Sequence, residues 1–273
     1  MRQALILLAI ALFCTSVNAA SVDTAVIYST CMHKPIKCVI IRPDGYLKGQ
    51  QHFPVVYLLH GYSDRYDTYI KTIPAVKAYA DEMQLIIVCP DGGFSSWYFD
   101  SPVDSTYQYD THISKEVIGY VDKHYRTIPD RNHRAIVGHS MGGHGALYLA
   151  LRHPDIFGAA GSMSGGVNLV PFPREWDIAK RIGDAQTYKS NWQNRSIVYM
   201  IDHFPTQTLK IMIDCGVDDF FCKVNRQLHQ KMLELKIPHD YIERPGHHSW
   251  EYWGNAIEFQ LLFFKKYFNN QGD

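Results

Sequence analysis

Apolar residues along the chain fall into two rhythms. Short continuous runs end at glycine, proline or aspartate. Between them lie longer stretches in which apolar residues recur every three or four positions. The first rhythm marks strands buried on both faces, the second amphipathic helices. Residues 25–30 (AVIYST) and 36–43 (IKCVIIRP) read as a β-hairpin. Residues 53–61 (FPVVYLLHG) and 85–93 (LIIVCPDGG) read as buried strands running into glycine turns, with a helix at 75–83 between them. A helix is expected over 111–125, with Thr111 or Asp110 placed to cap its start. Residues 134–140 form a strand, and the helix that follows stops before Pro154. Strands are then expected at 157–165, 209–216 and 239–246, and helices at 224–236 and 250–268.

Buried strands alternating with helices predict an α/β fold: a mostly parallel central sheet, helices on both faces and an N-terminal β-hairpin. Such sheets collect ligands beyond the carboxyl ends of their strands, where the glycine-rich exits lie. A chain of 273 residues suits one domain, expected here over residues 20–273. Residues 167–208 break the rhythm, with three prolines, two tryptophans and one clear helical run. They read as a cap-like insertion over the site.

The first residues, MRQALILLAIALFCTSVNAA, place one arginine before an apolar run and then small residues. That is the pattern of a secretory signal peptide over 1–19, with Val17-Asn18-Ala19 as cleavage site. The run is short for a membrane span. A lipid anchor at Cys14 is disfavoured by the bulk of Phe13 before it. The expected mature protein is secreted or periplasmic. Export makes disulfides conceivable among Cys31, Cys38, Cys89, Cys215 and Cys222. Cys31 with Cys38 and Cys215 with Cys222 are the short-range pairs, and Cys89 reads as a buried thiol. The formal charge is +0, which gives no reason to expect nucleic acid or an acidic partner. The 18 tyrosines would suit a surface or cleft for sugars or aryl groups, but most read as core and cross-strand residues.

The chemistry begins at Gly138-His139-Ser140-Met141-Gly142, a G-x-S-x-G pattern. By composition alone a chain of this length meets it roughly one time in ten. Its context is sharper. A strand precedes it and a helix follows, so the serine sits on a tight strand-to-helix turn whose glycines admit neighbouring backbone. Ser140 is therefore the candidate nucleophile. A serine hydroxyl needs a base, and the base an orienting acid. Both appear downstream in the order serine, acid, histidine: DCGVDDFF (214–221) at one strand end, PGHHSWEYW (245–253) after the last strand. Asp218 competes with Asp219, and His247 with His248. Asp214 lies within its strand and reads as structural. Histidines also bind metals, yet no second ligand cluster with zinc spacing appears, so neither metal nor cofactor is expected. Oxyanion donors are expected from the amides of Met141, just after the nucleophile, and Tyr62, where Gly61 lets the chain bend.

LLHGYSD, DRNHRAIVGHSMGGHGAL, DCGVDDFF and PGHHSWEYW resemble the esterase D-type esterases of the α/β-hydrolase fold. That family includes S-formylglutathione hydrolases, tributyrin-type esterases, feruloyl and acetylxylan esterases and related mycolyltransferases. The resemblance covers nearly all of the mature chain. Its G-x-x-D pattern implies Asp219 as the acid, and its histidine followed by a short aromatic-ended stretch implies His248 as the base. WYFDSP (97–102) is similar to a segment lining the family site, which implies substrate contacts by Trp97 and Asp100, though Trp97 reads equally as a buried anchor.

Together these readings lead to a secreted serine carboxylic-ester hydrolase with a Ser140-His248-Asp219 triad, acting through an acyl-enzyme. The resemblance and the signal peptide imply feruloyl or acetyl esters of plant polysaccharide, or short-chain esters. The alternatives are an acyltransferase passing the acyl group to a sugar hydroxyl, and a non-catalytic carbohydrate-binding homologue. A peptidase is disfavoured, since no large extra domain screens peptides.

Overall fold

The computed structural model describes residues 20–203 and 209–271. The expected signal peptide over 1–19, Cys14 within it, and residues 204–208 of the irregular excursion lie outside them. Eight strands form one sheet: β1 (Ser21–Ser29), β2 (Lys34–Arg42), β3 (Val55–Leu59), β4 (Ile86–Pro90), β5 (Arg134–His139), β6 (Ala159–Met163), β7 (Lys210–Gly216) and β8 (Asp240–Arg244). Their order is β1-β2-β4-β3-β5-β6-β7-β8. The β1–β2 hairpin joins β4 antiparallel, and every pairing from β4 through β8 is parallel. This is the expected α/β architecture, and it is that of an α/β-hydrolase.

Both faces are covered, and β3 (VVYLL) and β4 (IIVCP) are apolar at every position. Val55, Tyr57 and Leu59 of β3 point to one core, and Val56 and Leu58 to the other. The first core takes residues of α4 (Ile118–His124), α5 (Met141–Arg152), α8 (Ile197–Met200) and α9 (Cys222–Glu234). The second takes Tyr69 of α1 (Thr68–Thr72), Val76 and Ala80 of α2 (Val76–Met83) and the buried stripe of α10 (Trp250–Asn269). Each such branched or aromatic side chain taken from water contributes about 1.5–3 kcal/mol.

The helix expected at 111–125 starts earlier and is capped differently. It opens as α3 (Tyr109–Thr111) and passes through a π turn (His112–Val117) into α4. Neither Thr111 nor Asp110 caps it. Asp100, from the preceding loop, accepts hydrogen bonds from the Thr111 N–H (2.9 Å) and hydroxyl (2.6 Å). Asp110 is buried and binds Arg152 (2.7 Å) and His153 (2.5 Å) at the far end of α5.

All five cysteines beyond Cys14 are free. Cys38 is buried in β2 opposite Ala25, while Cys31 in the hairpin turn faces Ser29 and Glu116. Cys222 starts α9 and its thiol approaches Glu243, while Cys215 is buried within β7. The short-range bridges therefore do not form; Cys89 is buried, as expected.

The excursion after β6 carries α6 (Ile178–Ile182), α7 (Lys189–Gln193) and α8. It is packed rather than loose: Leu169, Ile178, Ile182, Trp192 and Ile197 join the first core. Trp176, in the turn before α6, is the residue it sends to the strand ends.

Candidate active site

Ser140 ends the β5-to-α5 turn with φ 54° and ψ −119°, a conformation L-residues avoid. Its neighbours explain how the turn closes. A Cβ on Gly142 would meet the Leu59 carbonyl oxygen at 2.3 Å, and one on Gly138 would meet backbone of Gly142 at 2.5 Å. The elbow thus sits against the end of β3 at a distance only glycine permits. The Ser140 amide is tied to the Met163 carbonyl (2.9 Å), and the residue lines a cleft at the carboxyl end of β5.

Two loops complete a hydrogen-bonded line. His248 Nε2 lies 2.9 Å from Ser140 Oγ, and His248 Nδ1 lies 2.8 Å from Asp219 Oδ2. A carboxylate only accepts, so Nδ1–H donates to Asp219 and Nε2 is left to accept the serine hydroxyl. Asp219 is held in turn by the Phe221 N–H, which donates to its Oδ1 at 2.7 Å. Its side chain has no exposed surface, and that of His248 keeps 14%. The competing residues face elsewhere. Asp218 and His247 are exposed and border a separate cavity of about 670 Å³ with Arg244 and Tyr252.

Asp214 lies below the site as a buried anchor. It binds the Tyr252 hydroxyl and the Arg244 guanidinium, bracketing the loop that carries His248. Among the described residues no three histidines, cysteines, aspartates or glutamates gather as a metal would require.

A cleft of about 380 Å³ opens at Ser140. The Gly61–Asp64 turn forms one side, with Tyr62 in it, and Met141, next after Ser140, opens α5. Helix-opening amides have no carbonyl one turn earlier to bond, so they are free to face a ligand. Trp176, Phe220, Trp250 and Trp253 wall the cleft. Phe220 packs on the His248 ring at 4.1 Å and stacks with Trp176 at 5.4 Å.

Trp97 and Asp100 do not border this cleft. Trp97 is 1% exposed, and its indole N–H donates to the Trp176 carbonyl at 3.1 Å. It thereby ties down the backbone of half-buried Trp176, which borders the cleft. Asp100 spends both carboxylate oxygens on Thr111. Neither residue named by WYFDSP is among those lining the Ser140 cleft. The walls that sequence reasoning passed over were present in its own segments: Phe220 in DCGVDDFF, Trp250 and Trp253 in PGHHSWEYW. Nothing in sequence spacing says which aromatics of such a run face the cleft.

The sequence model of a family described as "Putative esterase" matches residues 29–264. The chain belongs to this esterase family. Among its relatives, Esterase Rv1288 of Mycobacterium tuberculosis is 26% identical over 235 residues, covering 77% of this chain and 51% of that protein. The chain thus spans about half the length of that relative. S-formylglutathione hydrolase of Bos taurus is 27% identical, covering 79% of this chain and 84% of the other. Diacylglycerol acyltransferase/mycolyltransferase Ag85A of Mycobacterium tuberculosis is 28% identical, covering 77% and 72%. Among solved structures, a ferulic acid esterase superposes with a TM-score of 0.79 at 29% identity, covering 91% of this chain and 98% of its own. The esterase-family match spans every strand from β2 to β8, so the elbow, the acid loop and the histidine loop all fall inside it. Among the described residues of this esterase-family chain, no helix is long and apolar enough to cross a membrane.

Proposed function

We propose that the chain is a serine carboxylic-ester hydrolase in which Ser140 is the nucleophile, His248 the base and Asp219 the orienting acid. One observation carries this reading: side chains from three loops, 108 residues apart between Ser140 and His248, meet in one hydrogen-bonded line. In the first half-reaction Ser140 Oγ bonds to the ester carbonyl carbon and its proton moves to His248 Nε2. The tetrahedral oxyanion is held by the Met141 and Tyr62 N–H groups. The carbon–alkoxide bond then breaks, and the alcohol leaves with the proton from His248. In the second half, water gives its proton to His248 and attacks the acyl-serine. The carboxylic acid is released and Ser140 regains its hydrogen.

The substrates proposed are feruloyl or acetyl esters of plant polysaccharide, or short-chain esters, met outside the cytoplasm after export. Similarity to the ferulic acid esterase supports this class, as do the aromatic walls, whose faces suit aryl groups and sugar rings. A second reading, acyl transfer to a sugar hydroxyl, is favoured by the similarity to the Ag85A acyltransferase/mycolyltransferase. It uses the same first half-reaction and replaces water by the acceptor.

The test is hydrolysis of p-nitrophenyl acetate by wild type and Ser140→Ala, expected to differ by roughly four or more orders of magnitude in kcat. A variant at the wild-type rate overturns the proposal. Methyl ferulate, acetylated xylan and short p-nitrophenyl esters compared by kcat/KM then rank the substrates. Product analysis with a sugar acceptor separates hydrolysis from transfer.

A further inference from the structure

His139 does more than precede the nucleophile. It ends β5 with 1% of its surface exposed, and its two ring nitrogens are both engaged. Nε2 lies 3.0 Å from Asp64 Oδ2, and Nδ1 lies 2.7 Å from the Tyr69 hydroxyl. The carboxylate only accepts, so Nε2 carries the hydrogen and Nδ1 takes the Tyr69 O–H. Burial pushes the imidazole down to about 4, against the pull of the Asp64 carboxylate, which keeps it neutral at neutral pH.

Three segments meet on this ring. The first is the Ser140 elbow, to which His139 belongs. The second is the Gly61–Asp64 turn that carries the Tyr62 amide. A Cβ on Gly61 would lie 2.6 Å from His139 Nε2, so the turn rests directly on the imidazole. Within the turn the Asp64 N–H reaches the Gly61 carbonyl at 3.3 Å, and the Ser63 N–H donates to Phe94 at 2.8 Å. Asp64 is therefore the side chain that fastens this turn to the elbow. The third is the start of α10, whose Trp250 and Trp253 rings pack on His139 at 4.4 and 4.2 Å. His248 lies just ahead of them in the chain.

We propose that His139 and Asp64 are positioning residues: their hydrogen bond sets where the Tyr62 amide stands relative to the Ser140 hydroxyl. The inference rests on the esterase reading and on Tyr62 as an oxyanion donor. An acceptor at residue 64 is required, and a charge is not. A donor misplaced by about 1 Å costs on the order of a hundredfold in rate.

The test uses Asp64→Ala, Asp64→Asn and His139→Leu in the full chain. Active sites are counted by fluorophosphonate titration, and kcat and KM are measured with p-nitrophenyl acetate. Phenylboronic acid, which forms a tetrahedral adduct on a nucleophilic serine, supplies a Ki. Asp64→Ala is expected to lose roughly 10- to 100-fold in kcat per titrated site with KM within about twofold. Its boronate Ki should rise by the factor by which kcat/KM falls. Asp64→Asn, which keeps an oxygen to accept the His139 N–H, should recover most of both. His139→Leu should match Asp64→Ala, and the double variant should be no worse than either single change. Asp64→Ala with wild-type kcat per site, or Asp64→Asn as impaired as Asp64→Ala, overturns the inference while leaving the esterase reading intact. A wild type that neither labels nor hydrolyses overturns both.

Discussion

Asp219 and His248 are joined by a 2.8 Å hydrogen bond between a fully buried carboxylate and a largely buried imidazole. The adjacent Asp218 is exposed and uses its backbone N–H on the Gly246 carbonyl at 3.0 Å. Two neighbouring aspartates thus have separable duties. Asp219→Asn is expected to lower kcat by roughly 10³- to 10⁴-fold, because an amide favours the wrong imidazole tautomer. Asp218→Asn should stay within a few-fold of wild type. Steady-state kinetics on an aryl acetate decide between them.

The histidine pair divides in the same way. His248→Gln removes the proton acceptor 2.9 Å from Ser140 Oγ and should abolish turnover and fluorophosphonate labelling. His247→Gln alters an exposed ring outside the Ser140 cleft, so kcat and labelling rate should be nearly unchanged. Inactivation by His247→Gln alone would reverse the assignment.

Gly142→Ala tests the fit of the elbow against β3. The new methyl would meet the carbonyl oxygens of Leu59 at 2.3 Å and His60 at 2.6 Å, both backbone atoms that cannot rotate away. Overpacking of this kind costs about 1–3 kcal/mol. The melting temperature should drop by several degrees, and activity should fall further than stability, since the displaced turn carries Ser140. A variant with unchanged melting and kcat would contradict the contact.

Acid should weaken the fold through two interior imidazoles. Burial pushes both His139 and His144 down to about 4 from an ordinary value of 6.5. Between these values the unfolded chain binds a proton at each position and the folded chain does not. Stability therefore rises with pH from about 4 to 6.5, levels off above, and is lost on acidification, at up to about 1.4 kcal/mol per pH unit for each imidazole. Urea unfolding between pH 5 and 7 measures the slope, and His144→Gln should reduce it by about one proton.

Thiol chemistry separates the two readings of the cysteines. Urea-unfolded, unreduced protein beginning at Ala20 should titrate all five thiols, because each is free. The native protein should react first at Cys31, the one of the five not buried. A titre of three, or a melting temperature lowered by reductant, would indicate a bridge.

Much of this protein was readable without coordinates. Continuous apolar runs cannot be exposed on either face, so the parallel sheet and its two helical layers follow from strands such as VVYLL and IIVC. The glycines around Ser140 named the elbow because a side chain there has no room. The order serine, acid, histidine then placed the reactive loops at one sheet edge. What the chain could not say by itself depends on distances between loops remote in sequence. Trp97 could be read as a ligand contact or as a buried anchor, and the fold buries it against the carbonyl of Trp176, 79 positions away. Asp100 looked like part of the site and caps a helix at Thr111. His139 stands at a variable position of G-x-S-x-G, and only folding brings it to Asp64, 75 residues earlier, and to the tryptophans of α10. Periodicity is a local property that burial imposes residue by residue, whereas a hydrogen bond between two loops exists only once the sheet has set their separation.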